Sequence, residues 1–187
     1  MVYHSGRYIP DEERRKWQNP EAILYDIGLK LGDTFVDIGC GNGYFAIPAS
    51  RIVGNRGLVY GLDVNINAIE EFKKTAVDEN LSNIEVVIGK AETTVFCDTC
   101  ADIVFFGIDL HDFQDPLIVL RNAHRMLKST GKLVDIDWQR KQMPFGPPFE
   151  IRFSSEKAKI LIEKAGFEIG AIEDIKPYYY MIVARPA

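Results

Sequence analysis

Apolar strand-like runs alternate with amphipathic helical stretches along most of this chain, and that alternation leaves few folds open. The runs TFVDI, GLVYGLD, NIEVVIG, ADIVFFGI and GKLVDIDW are rich in Val, Ile and Phe and bounded by turn residues. Helical stretches lie between them. QNPEAILYDIGLKLGD opens on a capping Asn19, with Pro20 and Glu21 in the first turn, and should end at Gly32 and Asp33. A second helix is expected from about Tyr44 to Val53, with Pro48 near its first turns. NAIEEFKKTAVDEN has helical periodicity behind an Asn65 or Asn67 cap, and PLIVLRNAHRML is amphipathic. After a Pro-rich stretch, RKQMPFGPPFEIRF, come the helix SSEKAKILIEKAG and two consecutive strands, FEIGAIEDI and YYYMIVARP. Strands and helices alternate throughout except at that last pair, which predicts an α/β three-layer domain with a mainly parallel sheet.

At 187 residues the chain suits one domain, with no internal repeat, low-complexity segment or interdomain linker. Residues 1–18 read as an N-terminal arm and 19–187 as the core. Its 22 basic and 27 acidic residues give a formal charge of −5, which disfavours a general nucleic-acid binder because phosphates need a basic face. The start, MVYHSGRYIPDEERRKW, has no apolar signal-peptide core, and no run is long enough to cross a bilayer. The expected location is the cytoplasm. Three cysteines point to a reducing compartment rather than a disulfide framework.

The first strand run leads into VDIGCGNGYF, with glycines at 39, 41 and 43 and an acid, Asp37, inside the strand. Glycine lets the backbone turn sharply and approach a ligand, and in a parallel sheet ligands sit at the carboxyl ends of the strands. One strand later comes Asp63, placed to accept hydrogen bonds from a ribose diol. The two features together imply an adenosine-type ligand; a sharp turn made for structural reasons alone is the alternative. A dinucleotide loop reads G-x-G-x-x-G, but here position 44, where the third glycine would fall, is Tyr44. Asp37 would also repel a diphosphate. S-adenosylmethionine fits better, with its ammonium and sulfonium cations and no phosphate.

VDIGCGNGYF, VYGLDVN, ADIVFFGIDLHDFQDPLIVLRNAHRMLKSTGKLVDIDW and the closing YYYMIVARP resemble the class I S-adenosylmethionine-dependent methyltransferases. The nearest branch is the small-molecule type that includes the ubiquinone/menaquinone C-methyltransferases, and the resemblance spans about residues 19–187. It implies a Rossmann-like, seven-stranded, mostly parallel sheet with the last strand antiparallel. By this resemblance Asp37, Gly39, Cys40 and Gly41 line the methionine end of the cofactor, and Gly43 and Tyr44 open the following helix. Asp63 binds the ribose, Val64 packs on the adenine, and Lys90, Ala91 and Glu92 flank its edge. Family members commonly carry an acid at the position of Lys90, and a lysine cannot accept a hydrogen bond, so Glu92 or a backbone carbonyl takes that role. FGIDLHDF matches the motif facing the transferring methyl, which puts Gly107, Ile108, Asp109 and His111 near the reaction centre.

Methyl transfer needs alignment and desolvation, and a base only where the acceptor loses a proton. His111 is the candidate base, bracketed by Asp109 and Asp112; its alternative is to shape the pocket or cap a helix beginning near Asp115–Pro116. The pair Cys97 and Cys100 in CDTC reads as a turn rather than half a metal site, since a structural zinc needs four ligands. With Cys40 it leaves an arsenite-type thiol site as a further option. Phe145 and Phe149 in the Pro-rich stretch suit an apolar wall for a small-molecule acceptor, the alternative being a plain solvent-exposed connection; Tyr3, His4, Arg7 and Tyr8 of the arm either cover the same pocket or are disordered. A protein or RNA methyltransferase, a cofactor-binding subunit or sensor without activity, and a nicotinamide oxidoreductase remain as competing readings. The sequence leaves the oligomeric state open.

Overall fold

A computed structural model describes residues 3–4, 7–8, 11–143 and 145–187, with side chains from residue 11 onward. Two short strands, β1 (Tyr3–His4) and β2 (Arg7–Tyr8), pair antiparallel ahead of helices α1 (Asp11–Arg15) and α2 (Pro20–Asp26). The main body follows as β3 (Thr34–Ile38), α3 (Ala46–Val53), β4 (Leu58–Asp63), α4 (Ile66–Asp78), β5 (Ile84–Ile88) and β6 (Ala101–Gly107). It continues through α5 (Pro116–Met126), β7 (Leu127–Trp138), α6 (Ser155–Lys164), β8 (Phe167–Ile175) and β9 (Tyr179–Pro186).

Seven of these strands form one sheet in the order β5-β4-β3-β6-β7-β9-β8. The first five in that order are parallel, and β9 runs antiparallel to both neighbours. Strand periodicity divides the core into two layers. Phe35, Phe105, Val134 and Trp138 pack with residues of α2, α3 and α4. Val36, Val104, Phe106 and Leu133 point the other way, among residues of α5 and α6. The α/β three-layer Rossmann-like architecture follows, and its carboxyl edge holds the ends of β3, β4, β5 and β6.

Asn19 and Asn65 cap their helices as the sequence indicates, and α5 and α6 are capped by Asp115 and Ser154, two caps not expected from the sequence. Asn19 accepts from the Ala22 amide, Asn65 from Ala68, Asp115 from Ile118 and Ser154 from Lys157. Pro48 is the third residue of α3, where its missing N–H costs no intrahelical bond.

Three expectations need correction. Helix α2 does not reach Gly32: it stops at Asp26, because Gly28 adopts φ +74°. The amides of Gly28 and Leu29 then bond back to Tyr25 and Leu24, a Schellman closure that ends the helix six residues early. Strands and helices also do not alternate between β5 and β6, where residues 89–100 contain turns and irregular chain only. Finally, Cys97 and Cys100 are joined in a disulfide, with Cα atoms 6.0 Å apart across a bend, a span such a bond requires. The plain turn expected there is thus a cross-linked one.

Candidate active site

The glycine loop takes its shape from neighbours on three sides. The amides of Gly39 and Cys40 both donate to the Leu62 carbonyl, at 2.8 and 3.0 Å, tying the turn to the end of β4. The Gly41 amide donates to Asp63 Oδ2 and the Asn65 amide to Asp63 Oδ1, each at 2.8 Å, so Asp63 organises both loops. Gly39 has φ +76°, and a Cβ there would lie 1.9 Å from Asp109 Oδ2. Gly43 has φ +87°, and a Cβ there would meet the Phe72 ring at 2.7 Å. These two glycines let β3 and α3 close on the groups behind them.

The N-terminal segment supplies the third side. Tyr44 donates its hydroxyl to the Gln18 carbonyl, Asn42 Nδ2 donates to Asp11 Oδ2 at 3.2 Å, and the Arg14 guanidinium covers the Tyr44 ring at 3.8 Å.

Around this loop lies a cavity of about 470 Å³, a size suited to a small ligand. From the loop it is lined by Asp37, Gly39, Cys40, Gly41 and Tyr44, and from the end of β4 by Asp63 and Val64. Lys90, Ala91 and Glu92 contribute from the segment after β5, and Gly107, Ile108 and Asp109 from the end of β6. Gly43 lies behind it, at the entry to α3. Val64 is 64% exposed, an apolar side chain at the rim that suits a planar ring. Glu92 Oε1 accepts from the Gln114 amide at 3.2 Å, which ties the two halves of this rim together.

Carboxyl groups dominate the floor. Asp37 is buried, its Oδ2 has no hydrogen-bond partner, and neither oxygen of Asp109 has one. Burial first, then the charge of Asp63, pushes the Asp37 carboxyl up to about 8, against the pull of Arg14 and the Ala46 amide. Burial also raises Asp109 well above the carboxylate range, with Asp37, Asp137 and Asp135 adding to it. Orphaned acids facing a cavity suit a cationic ligand, because an ammonium or sulfonium returns them to the ionised form. Ile108, beside them, holds φ +71°, a strained conformation for a branched residue, anchored by its amide donating to Ile136 at 2.7 Å.

His111 lies outside the cavity wall. Its side chain is wholly buried, with Nδ1 2.8 Å from both Asp137 oxygens and Nε2 3.3 Å from Asp112 Oδ1. Asp112 does line the cavity and is half exposed. Burial opposes protonation of His111, but the hydrogen bond and charge of Asp137 with the charge of Asp112 outweigh it and raise the imidazole pKa.

Of the apolar wall expected at residues 141–150, no described residue lines this cavity. Phe145 packs with Trp17, Trp138 and Tyr178, and Phe149 lies under Arg140. Both line a separate space of about 300 Å³ held by Arg152, whose guanidinium donates to the carbonyls of Pro147, Lys141 and Phe145. The aromatic residues Trp17, Trp138 and Tyr178 at the sheet edge take up the Phe145 surface that a substrate would otherwise meet. The expected cover from Tyr3, His4, Arg7 and Tyr8 lies outside the described side chains. Among the described residues no three His, Cys, Asp or Glu side chains come together as metal ligands. The disulfide leaves Cys40 as the free thiol, and burial pushes that thiol up, away from the thiolate an arsenite site needs.

Sequence reasoning missed Arg14, Asn42, Phe113 and Gln114 in the cavity wall. Arg14 carries no motif, and in DEERRKW only the fold shows which basic residue turns inward.

Residues 11–155 match the model of the ubiE/COQ5 methyltransferase family. A demethylmenaquinone methyltransferase of Staphylococcus haemolyticus is 31% identical over 136 residues, 73% of this chain and 55% of that protein. A Staphylococcus aureus counterpart gives 31% over 137 residues with the same coverage. The chain thus spans about half the length of the curated relatives it matches. The crystal structure of a SAM dependent methyltransferase from Aquifex aeolicus superposes with a TM-score of 0.88 at 26% identity, covering 96% of this chain and 100% of that one. The [4+2]-cyclase SpnF, at 17% identity and a TM-score of 0.81 over 98% of this chain and 86% of its own, shares the fold alone. Among the described residues no helix is long and apolar enough to cross a membrane. With a family model matched over most of its length and a glycine-loop cavity at the carboxyl edge of its sheet, the chain belongs to the ubiE/COQ5 methyltransferase family.

Proposed function

We propose that this chain is an S-adenosylmethionine-dependent methyltransferase acting on a small-molecule acceptor, working in the cytoplasm as one domain in which residues 11–18 close on the site. The observation that carries the reading is the set of unpartnered carboxyl oxygens, Asp37 Oδ2 and both of Asp109, at a cavity built on the glycine loop. Asp37 would hold the donor's ammonium, Asp63 its ribose, Val64 and Ala91 its adenine, and Gly39 and Gly41 would admit its backbone-like end. When bound, the donor supplies a methyl group already activated on a sulfonium. The protein's part is to align, dry and shape the space. Phe45, Ile108 and Phe113 give the cavity apolar surface beside the acids. Asp112 takes the acceptor's proton, and His111, pinned by Asp137, holds Asp112 from behind.

Donor affinity should depend on pH through Asp37. In the ligand-free protein its raised pKa keeps the carboxyl mostly protonated at pH 7. Stability from that proton is present below the ordinary carboxylate range and lost as pH climbs through about 8. A bound ammonium favours the ionised form, so binding expels a proton. The affinity for S-adenosylhomocysteine should rise by up to about tenfold per pH unit from pH 6 and level off near 8. Calorimetry in buffers of different ionisation enthalpy checks the proton release. An affinity independent of pH, or unchanged in Asp37→Asn, would contradict it.

The acceptor class is tested with labelled S-adenosylmethionine and a short-chain demethylmenaquinol, with bulk tRNA as the contrast. Label should enter the quinol, and Asp112→Asn should slow that transfer by about a hundredfold with donor affinity unchanged. Label in tRNA and none in the quinol would overturn the small-molecule reading.

A further inference from the structure

The N-terminal helix brings a buried guanidinium to the cavity. Arg14 is 3% exposed and lines the same space as Asp37 and Gly39. Its Nε donates to Gln18 Oε1 at 2.6 Å, and its Cζ stands 3.8 Å from the Tyr44 ring centroid and 5.5 Å from that of Phe45. The groups facing it are Tyr44 from the glycine loop, Tyr179 from β9, Asp11 from its own helix and Asp37 from β3, all acting through space. The phenol of Tyr44 is pushed up to about 12 by burial and stays neutral, and Asp37 is mostly protonated at pH 7. A guanidinium keeps its charge under such conditions. It is therefore a desolvated cation set between the Tyr44 and Phe45 rings, Gln18 and a mostly protonated Asp37, an arrangement that favours an incoming anion.

An anion alone would meet the acids of the floor. A zwitterion meets both demands, with its cation on Asp37 and its anion on Arg14. We infer that Arg14 receives the α-carboxylate of the methyl donor, so that α1 and β3 together read the donor's amino-acid end. This extends the proposed function and depends on that reading of the cavity. The planar fork suits a carboxylate, and its stacking on Tyr44 fixes the plane of approach. The contact also joins ligand to chain closure. Asp11 with Asn42, and Tyr44 with the Gln18 carbonyl, hold residues 11–18 against the glycine loop, and a carboxylate on Arg14 adds a further tie.

The test compares S-adenosylhomocysteine with 5′-methylthioadenosine, which shares the adenosine and thioether but lacks the amino-acid end. Calorimetry on the full chain should show Arg14→Gln weakening S-adenosylhomocysteine by about ten- to a hundredfold while leaving methylthioadenosine within about twofold. Arg14→Lys keeps the charge without the fork and should recover part of the loss. Retained methylthioadenosine binding shows that the variant is folded. If Arg14→Gln does not fold, Arg14→Lys is read alone, with the same selective loss expected in smaller measure. An equal loss for both ligands, or none for S-adenosylhomocysteine, overturns the inference and leaves the proposed function standing. A wild-type protein that binds neither ligand overturns both.

Discussion

Replacing His111 by glutamine should cost about 3–5 kcal/mol of stability, because it leaves Asp137 buried without its cation. In a chain of this size that lowers the melting temperature on the order of 10 °C. The His111 ring and the Asp137 carboxylate are both fully excluded from solvent, and the ring nitrogen meets both carboxylate oxygens at 2.8 Å. The sign with pH follows from the raised imidazole pKa. That contribution is fully present below the unfolded value near 6.5 and is lost as pH rises through the folded value. The gap between wild type and His111→Gln should therefore be wider at pH 6 than at pH 9, measured by thermal or urea unfolding. A gap that widens with pH would mean the pair is not held together by imidazolium charge.

Gly39→Ala should abolish donor binding while leaving a folded protein. The substitution meets two obstacles at once. A left-handed conformation costs a side-chain residue about 1–2 kcal/mol, and the new Cβ would sit 1.9 Å from Asp109 Oδ2. Relief requires Asp109 or the loop to move, and overpacking of this kind costs about 1–3 kcal/mol more. Either movement disturbs the cavity floor, so a loss of S-adenosylhomocysteine affinity of at least a hundredfold is expected by calorimetry. The double variant Gly39→Ala/Asp109→Ala frees the space and should recover part of the binding. Recovery failing in a folded double variant would show that the backbone conformation of Gly39, not its contact with Asp109, sets the loss.

The glycine-loop side of this cavity was legible because backbone chemistry writes it locally. Glycines at 39, 41 and 43 and an acid at the end of the next strand occupy the sequence positions that a strand–loop–helix turn demands, and thirteen of the expected residues line the cavity. The caps at Asn19 and Asn65 were legible for the same reason, each being a bond between residues three apart. What was not legible depended on distant partners. His111 looked like a residue facing the reaction centre, and only the placement of β7 shows that Asp137 draws it inward. Phe145 looked available to a substrate, but Trp17, Trp138 and Tyr178 converge on it from separate parts of the chain. Arg14 is one of two adjacent arginines; one turns inward over Tyr44 while Arg15 pairs with Glu21 at 2.7 Å, and local pattern does not separate them. The early end of α2 at Gly28 was readable in principle, since two glycines competed for the same role and the nearer one closed the helix.

Everything proposed for this chain turns on the identity of the adenosine ligand, and a single calorimetric titration reads it. S-adenosylhomocysteine titrated into the full chain at pH 8 should bind stoichiometrically, while NAD at the same concentrations should give no saturable heat, because Tyr44 and the acids of the floor oppose a diphosphate. Saturable binding of NAD with no response to S-adenosylhomocysteine would contradict the account.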